Sequence, residues 1–165
     1  MHRRGAGGIR VALALTRRQD KFLQAIFKKV TSGPVPLAVV ALGGYGRKEL
    51  CFNSDIDIMF LTESEGQQEH GISIIQEYLY ILMDAGLNIG HSVRSISECI
   101  NIDEGDLESR MSLLEARFIC GNNILFNKFI AAIREKTLNQ NKKTFIRQIS
   151  ERTLLRHLKY GSTSK

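Results

Sequence analysis

Asp55 and Asp57 stand two residues apart in the string Ser54-Asp55-Ile56-Asp57-Ile58. The β-rich run from Ile56 to Leu61 predicts a strand. Alternation along it sends both carboxylates to one face and Ile56 and Ile58 to the other, into a core. Two carboxylates about 7 Å apart along a strand, with no lysine nearby, repel each other. A divalent cation relieves that repulsion, and hard carboxylate oxygens suit Mg²⁺, with Mn²⁺ as a substitute. Alone, Asp-x-Asp is a common surface tripeptide. Its neighbours sharpen the reading. Gly43-Gly44 closes an earlier apolar run, eleven residues before Asp55. Read blandly, that is a tight turn; read chemically, it is a loop whose amides can cup a phosphate. Arg47 and Lys48 follow at the start of a predicted helical turn, whose N-terminal end adds positive potential. A phosphate cradle, two cations and a metal-binding pair on adjacent strand ends suit an anionic ligand such as a nucleotide.

The elements that must hold these residues are legible from periodicity. Phe22, Leu23, Ile26, Phe27 and Val30 repeat at helical spacing, and Thr16 with Gln19 has the spacing of a capping box at that helix's start. Ser32-Gly33-Pro34 breaks the chain. Leu37 to Leu42 is wholly apolar and too short for a helix, which predicts a buried strand. After the strand at Ile56–Leu61, a helix is expected from about Gln67 to Ala85, with Ile72, Ile75, Leu79 and Leu82 on one face and Gly86 as its stop. Leu87 to Val93 is a third strand. Ser95 and Glu98 again have capping-box spacing. From about Asp106 onward the pattern reads as helix, with Leu113, Leu114, Phe118, Phe126, Phe129, Ile130 and Ile133 supplying core faces and a break near Gly121-Asn122-Asn123. The expected fold is therefore α+β: a small mixed sheet with helices on one side, residues 1–105, followed by a helical extension, residues 106–165.

With 165 residues the chain has about one domain's worth of sequence, and 43% apolar with 24% charged residues excludes a disordered tail or a fibre. No apolar run approaches the roughly 20 residues of a membrane span, and Val11–Leu15 is too short for a secretion signal. Cys51, Cys99 and Cys120 are odd in number and far apart, which argues against a disulfide framework or a zinc knuckle and fits a reducing, cytoplasmic compartment. Charge is segregated. Residues 1–29 hold eight Lys/Arg and one acid, residues 30–127 five Lys/Arg and fourteen acids, and residues 128–165 ten Lys/Arg and two acids. Basic ends around an acidic middle fit either solvated helix faces or an anionic ligand held near metal-binding acids.

Leu42-Gly43-Gly44, ten intervening residues, then Asp55-Ile56-Asp57-Ile58 resembles the signature of the DNA polymerase beta-type nucleotidyltransferase superfamily. The longer string Gly43-Gly44-Tyr45-Gly46-Arg47-Lys48-Glu49-Leu50, followed by Ser54-Asp55-Ile56-Asp57, is similar to the bacterial PII uridylyltransferase / uridylyl-removing family and its nucleotidyltransferase relatives, often fused to CBS domains. Gly90-His91-Ser92-Val93-Arg94, Ser112-Leu113-Leu114-Glu115-Ala116-Arg117 and Arg156-His157-Leu158-Lys159-Tyr160-Gly161 resemble further motifs of that group, in the same order. The resemblance implies a nucleotidyltransferase fold and Mg²⁺-dependent transfer of UMP from UTP, or of another nucleotide, to a tyrosine hydroxyl of a PII-type signalling protein. It implies that Asp55 and Asp57 bind metal and that Gly43, Gly44 and Ser54 contact the triphosphate. It also implies an N-terminal part of a longer protein. In one place the pattern departs: full uridylyltransferases carry an acid just before the Gly-His-Ser-Val-Arg motif, and here that place holds Asn88.

Other residues stay open. His91 is either a site residue, as the motif suggests, or a hydrogen-bonded structural histidine. Arg94 either reaches a phosphate or pairs with Asp84 or Glu98. Lys159 and Tyr160 either close over a nucleotide or face solvent. Two functional classes follow: a nucleotidyl-transferring enzyme, or a regulatory nucleotide-binding module that kept Asp55 and Asp57 but lost turnover. Nucleic acid is not the expected partner, since no interleaving of aromatic and basic residues marks a stacking platform, and no membrane partner is expected.

Overall fold

The computed structural model describes residues 7–52, 54–103 and 105–139. The motif at Arg156–Gly161, with Lys159 and Tyr160, lies outside these residues, as does the helical reading beyond Asn139. In chain order the elements are α1 (Gly8–Val30), β1 (Leu37–Ala41), the single turn α2 (Gly43–Gly46), β2 (Ile56–Thr62), α3 (Glu65–Asp84), β3 (Ile89–Ser95), α4 (Ile96–Ile100), α5 (Leu107–Leu114), β4 (Arg117–Gly121) and α6 (Asn123–Asn139). The strands form one mixed sheet in the order β3-β2-β1-β4. β1 runs antiparallel to β2 and to β4, while β2 and β3 are parallel. The parallel pair needs a crossover, and α3 supplies it.

β1 explains the layering. All five of its residues are fully buried, so both faces of the sheet must be covered. Leu37, Val39 and Ala41 pack with Ile58 and Phe60 against Leu23 and Phe27 of α1 and Ile75, Tyr78 and Leu82 of α3. Ala38, Val40, Met59 and Leu61 pack on the other side against Cys99 of α4, Leu113 of α5 and Phe129 of α6. The α+β mixed sheet is as expected, but helices cover both faces rather than one, because an unbroken apolar strand cannot leave either face to water.

Three local expectations are corrected. The break near Gly121 is present, but the segment before it is a strand rather than helix: Arg117–Gly121 forms β4 and pairs with β1. A central strand buried on both faces needs partners for its hydrogen bonds at both edges, and β4 fills the second. α1 begins at Gly8, so Thr16 is not a cap. It lies in the helix interior, and its hydroxyl donates to the Ala12 carbonyl one turn back, at 2.9 Å. Ile72 is 44% exposed, and Tyr78 takes the core place on α3, its ring edge-on to Phe27 and Phe60 and its hydroxyl donating to Leu23 O at 3.1 Å. The second capping box is present: Ser95 and Glu98 exchange side-chain and backbone hydrogen bonds at the start of α4.

Candidate active site

Asp55 directly precedes β2 and Asp57 is its second residue. Both are exposed, while Ile56 and Ile58 between and beyond them are buried, so the alternation expected along this strand holds. Asp57 is flanked from both sides of the sheet. A Cβ on Gly43, at the end of β1, would lie 3.5 Å from Asp57 Oδ2, and one on Gly90, opposite Asp57 in the β2–β3 register, would collide with Oδ1. Glycine at both places leaves room for the carboxylate. Leu42 N–H donates to Asp57 O at 3.0 Å, which ties the end of β1 to the site. Partial burial, and then the neighbouring Asp55 charge, hold the Asp57 carboxyl above the usual carboxylate range. No ion pair among the described residues neutralises either aspartate.

Asn88 completes the cluster. Its backbone carbonyl accepts from Ile56 N–H at 3.0 Å, and its side-chain nitrogen donates to the Asp55 carboxylate. The residue that stands where an acid was expected is thus in contact with the first aspartate. Two carboxylates and an amide carbonyl are hard oxygen donors, and the unneutralised, mutually repelling pair is the chemistry a divalent cation fits.

The glycine turn beside the aspartates is α2 itself. Helical hydrogen bonding begins at once, with Gly46 N–H donating to Leu42 O at 2.8 Å. The turn therefore starts at Gly43 rather than at Arg47, and Gly43 adopts φ +54°, a conformation costly for residues with a Cβ. Its first amides have no acceptor within the helix. Arg47 is turned elsewhere: it bonds Glu49 at 2.7 Å and Glu115 at 2.6 Å, and these contacts hold its guanidinium above its ordinary pKa. Lys48, also at positive φ, is exposed and makes no ion pair among the described residues. Ser54 closes the Cys51–Ser54 turn, its hydroxyl accepting from Cys51 N at 3.0 Å and donating to Cys51 O at 2.9 Å.

The sheet separates two further residues from this cluster. His91 pairs with Ile58 and so shares the α1/α3 face, opposite to Asp57. Arg94 is on the carboxylate face, paired with Leu61, but four residues along β3 from Gly90, about 13 Å away. Asp84 ends α3 and is exposed.

A buttress beneath α2 escaped the sequence reading. Arg117 of β4 forms an ion pair with Asp20 of α1 at 2.9 Å. It donates to the carbonyls of Tyr45 at 3.0 Å and Gly46 at 3.2 Å and lies over the Tyr45 ring at 5.1 Å. Tyr45 in turn donates its hydroxyl to Asp20 at 2.7 Å. Burial, then this hydrogen bond to Asp20, push the Tyr45 phenol far above its ordinary pKa, so it stays a donor. The available signal was Asp20 itself, the one acid among the first 29 residues.

The family model for glutamate-ammonia ligase adenylyltransferase matches residues 9–83, which span α1 through most of α3 and hold the glycine turn and both aspartates. That match supports the resemblance to nucleotidyltransferases. The chain is also 32% identical over 168 residues to the bifunctional uridylyltransferase/uridylyl-removing enzyme of Phenylobacterium zucineum, covering 96% of this chain and 18% of that enzyme. The chain thus spans under a fifth of that relative's length. No helix among its described residues is long and apolar enough to cross a membrane.

Proposed function

We propose that the chain transfers a nucleotidyl group, UMP from UTP, to a tyrosine hydroxyl of a PII-type signalling protein in the cytoplasm. One observation carries the reading: the Asp57 carboxylate lies between Gly43 and Gly90, with Asp55 and Asn88 alongside. The α2 amides at Gly43 and Gly44 receive the triphosphate, with Lys48 and Ser54 at the rim. Arg47 reaches a phosphate only by leaving Glu49 and Glu115. Asp55, Asp57 and the Asn88 carbonyl would hold Mg²⁺ or Mn²⁺. A bound cation supplies charge neutralisation on the phosphates and a lower pKa for the attacking oxygen. In the transfer the acceptor oxygen forms a bond to the α-phosphorus, the bond to the bridging oxygen of pyrophosphate breaks, and pyrophosphate leaves. The hydroxyl proton goes to solvent, since an amide at position 88 cannot take it.

A second reading, a regulatory module that binds nucleotide without turnover, is favoured by one feature: Asn88 in contact with Asp55 where a base would stand. Thermal stability with each NTP, with and without Mg²⁺, tests the shared premise. Stabilisation that requires both UTP and metal is expected. Equal response to all NTPs without metal would overturn the site assignment. Labelled transfer to a PII-type acceptor then separates enzyme from module.

A further inference from the structure

The outer side of the α1/α3 layer divides by charge. α1 carries Arg10, Arg17, Arg18, Lys21, Lys28 and Lys29, all exposed. At 3.6 residues per turn they fall within about a third of the helix circumference, on the side away from buried Leu23 and Phe27. None of them makes an ion pair among the described residues, and the one acid of α1, Asp20, is taken by Arg117. α3 is the reverse: it carries Glu65, Glu69, Glu77 and Asp84 and no Lys or Arg. Its outer side is also apolar. Ile72, Tyr80 and Met83 are 44%, 72% and 50% exposed, and their spacing puts them on one stripe. Exposed Glu77 and Asp84 border that stripe. An apolar patch rimmed by charge marks a protein contact.

Charge selects the partner. A second copy of this chain offers acids to α1 and cations to α3 at once. α1 and α3 run antiparallel side by side: Phe27 meets Tyr78, while Leu15 and Phe22 share a cleft with Ala85 and Leu87. A two-fold axis along the helices lays α1 of each copy on α3 of the other, an isologous contact. An axis across them would stack α1 on α1, cation on cation. With the axis along the helices, Glu77 and Asp84 of one copy come level with the Arg17–Lys28 span of the other. The aliphatic stems of those Lys and Arg side chains then cover the apolar stripe. A helix of 20 residues is about 30 Å long and about 10 Å wide, so two side by side offer about 600 Å² per copy. The total of about 1,200 Å² reaches the lower end of stable interfaces. Asp57 faces the other side of the sheet, so the contact leaves the candidate active site open.

We propose that the chain self-associates as a two-fold dimer through this layer, basic α1 against acidic and apolar α3. The proposal stands independently of the nucleotidyl-transfer reading.

Sedimentation velocity on the full 165-residue chain tests it. A dimer is expected at about 50 mM salt, with dissociation at least about tenfold easier at about 500 mM. Two sets of exposed substitutions invert the charges. Arg17→Glu, Lys21→Glu and Lys28→Glu together turn the stripe of α1 acidic. Glu77→Lys with Asp84→Lys turns the facing half of α3 basic. Each variant alone sets like charges against each other and should be monomeric. An equal mixture of the two should form a heterodimer, because both contacts then pair opposite charges. Circular dichroism checks that each set folds, and Tyr80→Ser, a single change at an exposed ring, should by itself weaken the dimer at least about tenfold. A monomeric wild-type chain, a dimer that survives these changes, or a mixture of folded variants that stays monomeric would overturn the proposal. So would a monomer whose α1 cations bind duplex DNA, since a polyanion would then be their partner.

Discussion

Asp57 is poised between two glycines and faces a like charge, and that frustration is its use. A carboxyl whose folded pKa is raised costs stability when ionised, and the cost fades as pH falls through that pKa. Asp57→Asn removes the repulsion permanently. It should leave the melting temperature at neutral pH unchanged or higher, and abolish Mg²⁺-dependent nucleotide binding by calorimetry. A destabilised fold, or retained Mg²⁺ dependence, would contradict the metal assignment. Asn88 poses the complementary test. Its side chain already touches Asp55, so Asn88→Asp adds a base where the attacking oxygen passes. General-base catalysis contributes about 10²–10⁴-fold. Transfer of label from UTP to a PII-type acceptor should rise at least about tenfold in the variant. No rise would show that proton removal does not limit the chain.

At the scale of elements, a four-residue helix cannot hold its own shape, and α2 is held from outside. Arg117 and Asp20 tie its carbonyls and Tyr45 to β4 and α1. Arg117→Met leaves Asp20 partly buried without its cation. Hydrogen bonds to charged groups and broken buried pairs together predict a loss of about 2–4 kcal/mol in urea unfolding, with weaker nucleotide binding in the folded fraction. Wild-type stability would show the buttress to be ornamental. The glycines of the turn divide by what surrounds them. A Cβ on Gly46 would sit 2.5 Å from Glu115 O and 3.1 Å from Ala41 O, whereas one on Gly44 meets only Arg47 at 3.9 Å. Gly46→Ala should therefore cost about 1–3 kcal/mol through overpacking. Gly44→Val should fold normally and lose triphosphate binding, which equilibrium unfolding and calorimetry separate.

For the whole molecule, one sheet carries two apolar layers. Ile75 belongs to the layer under α1 and α3, Leu125 to that under α6. Ile75→Val should cost about 0.5–1.5 kcal/mol and Leu125→Ala about 2–5 kcal/mol. Since the two sit in separate clusters, the double variant should lose their sum within about 0.5 kcal/mol in urea melts. Larger non-additivity would mean that β1 transmits strain between its faces.

Local pattern was enough for much of the site. Alternation in Asp55–Ile58 placed two carboxylates on one face because a strand's period is two, whatever packs on it. Gly43-Gly44 marked a turn, and Ser95 with Glu98 a cap, because both depend on neighbours within four residues. Tertiary structure decided what distant segments bring. Arg117 is 97 residues from Asp20, and no local rule pairs them. The strand at Arg117–Gly121 was hidden inside helical spacing, because only the open edge of β1 called for it. The motif suggests His91 as a site residue, yet the parallel register with Ile58 turns it to the opposite face. Asn88 was marked by its departure from a motif, but its contact with Asp55 exists only because β2 and β3 lie side by side. Pairing between strands is a long-range event, and its register is chosen by the packing of whole faces rather than by the residues flanking each strand.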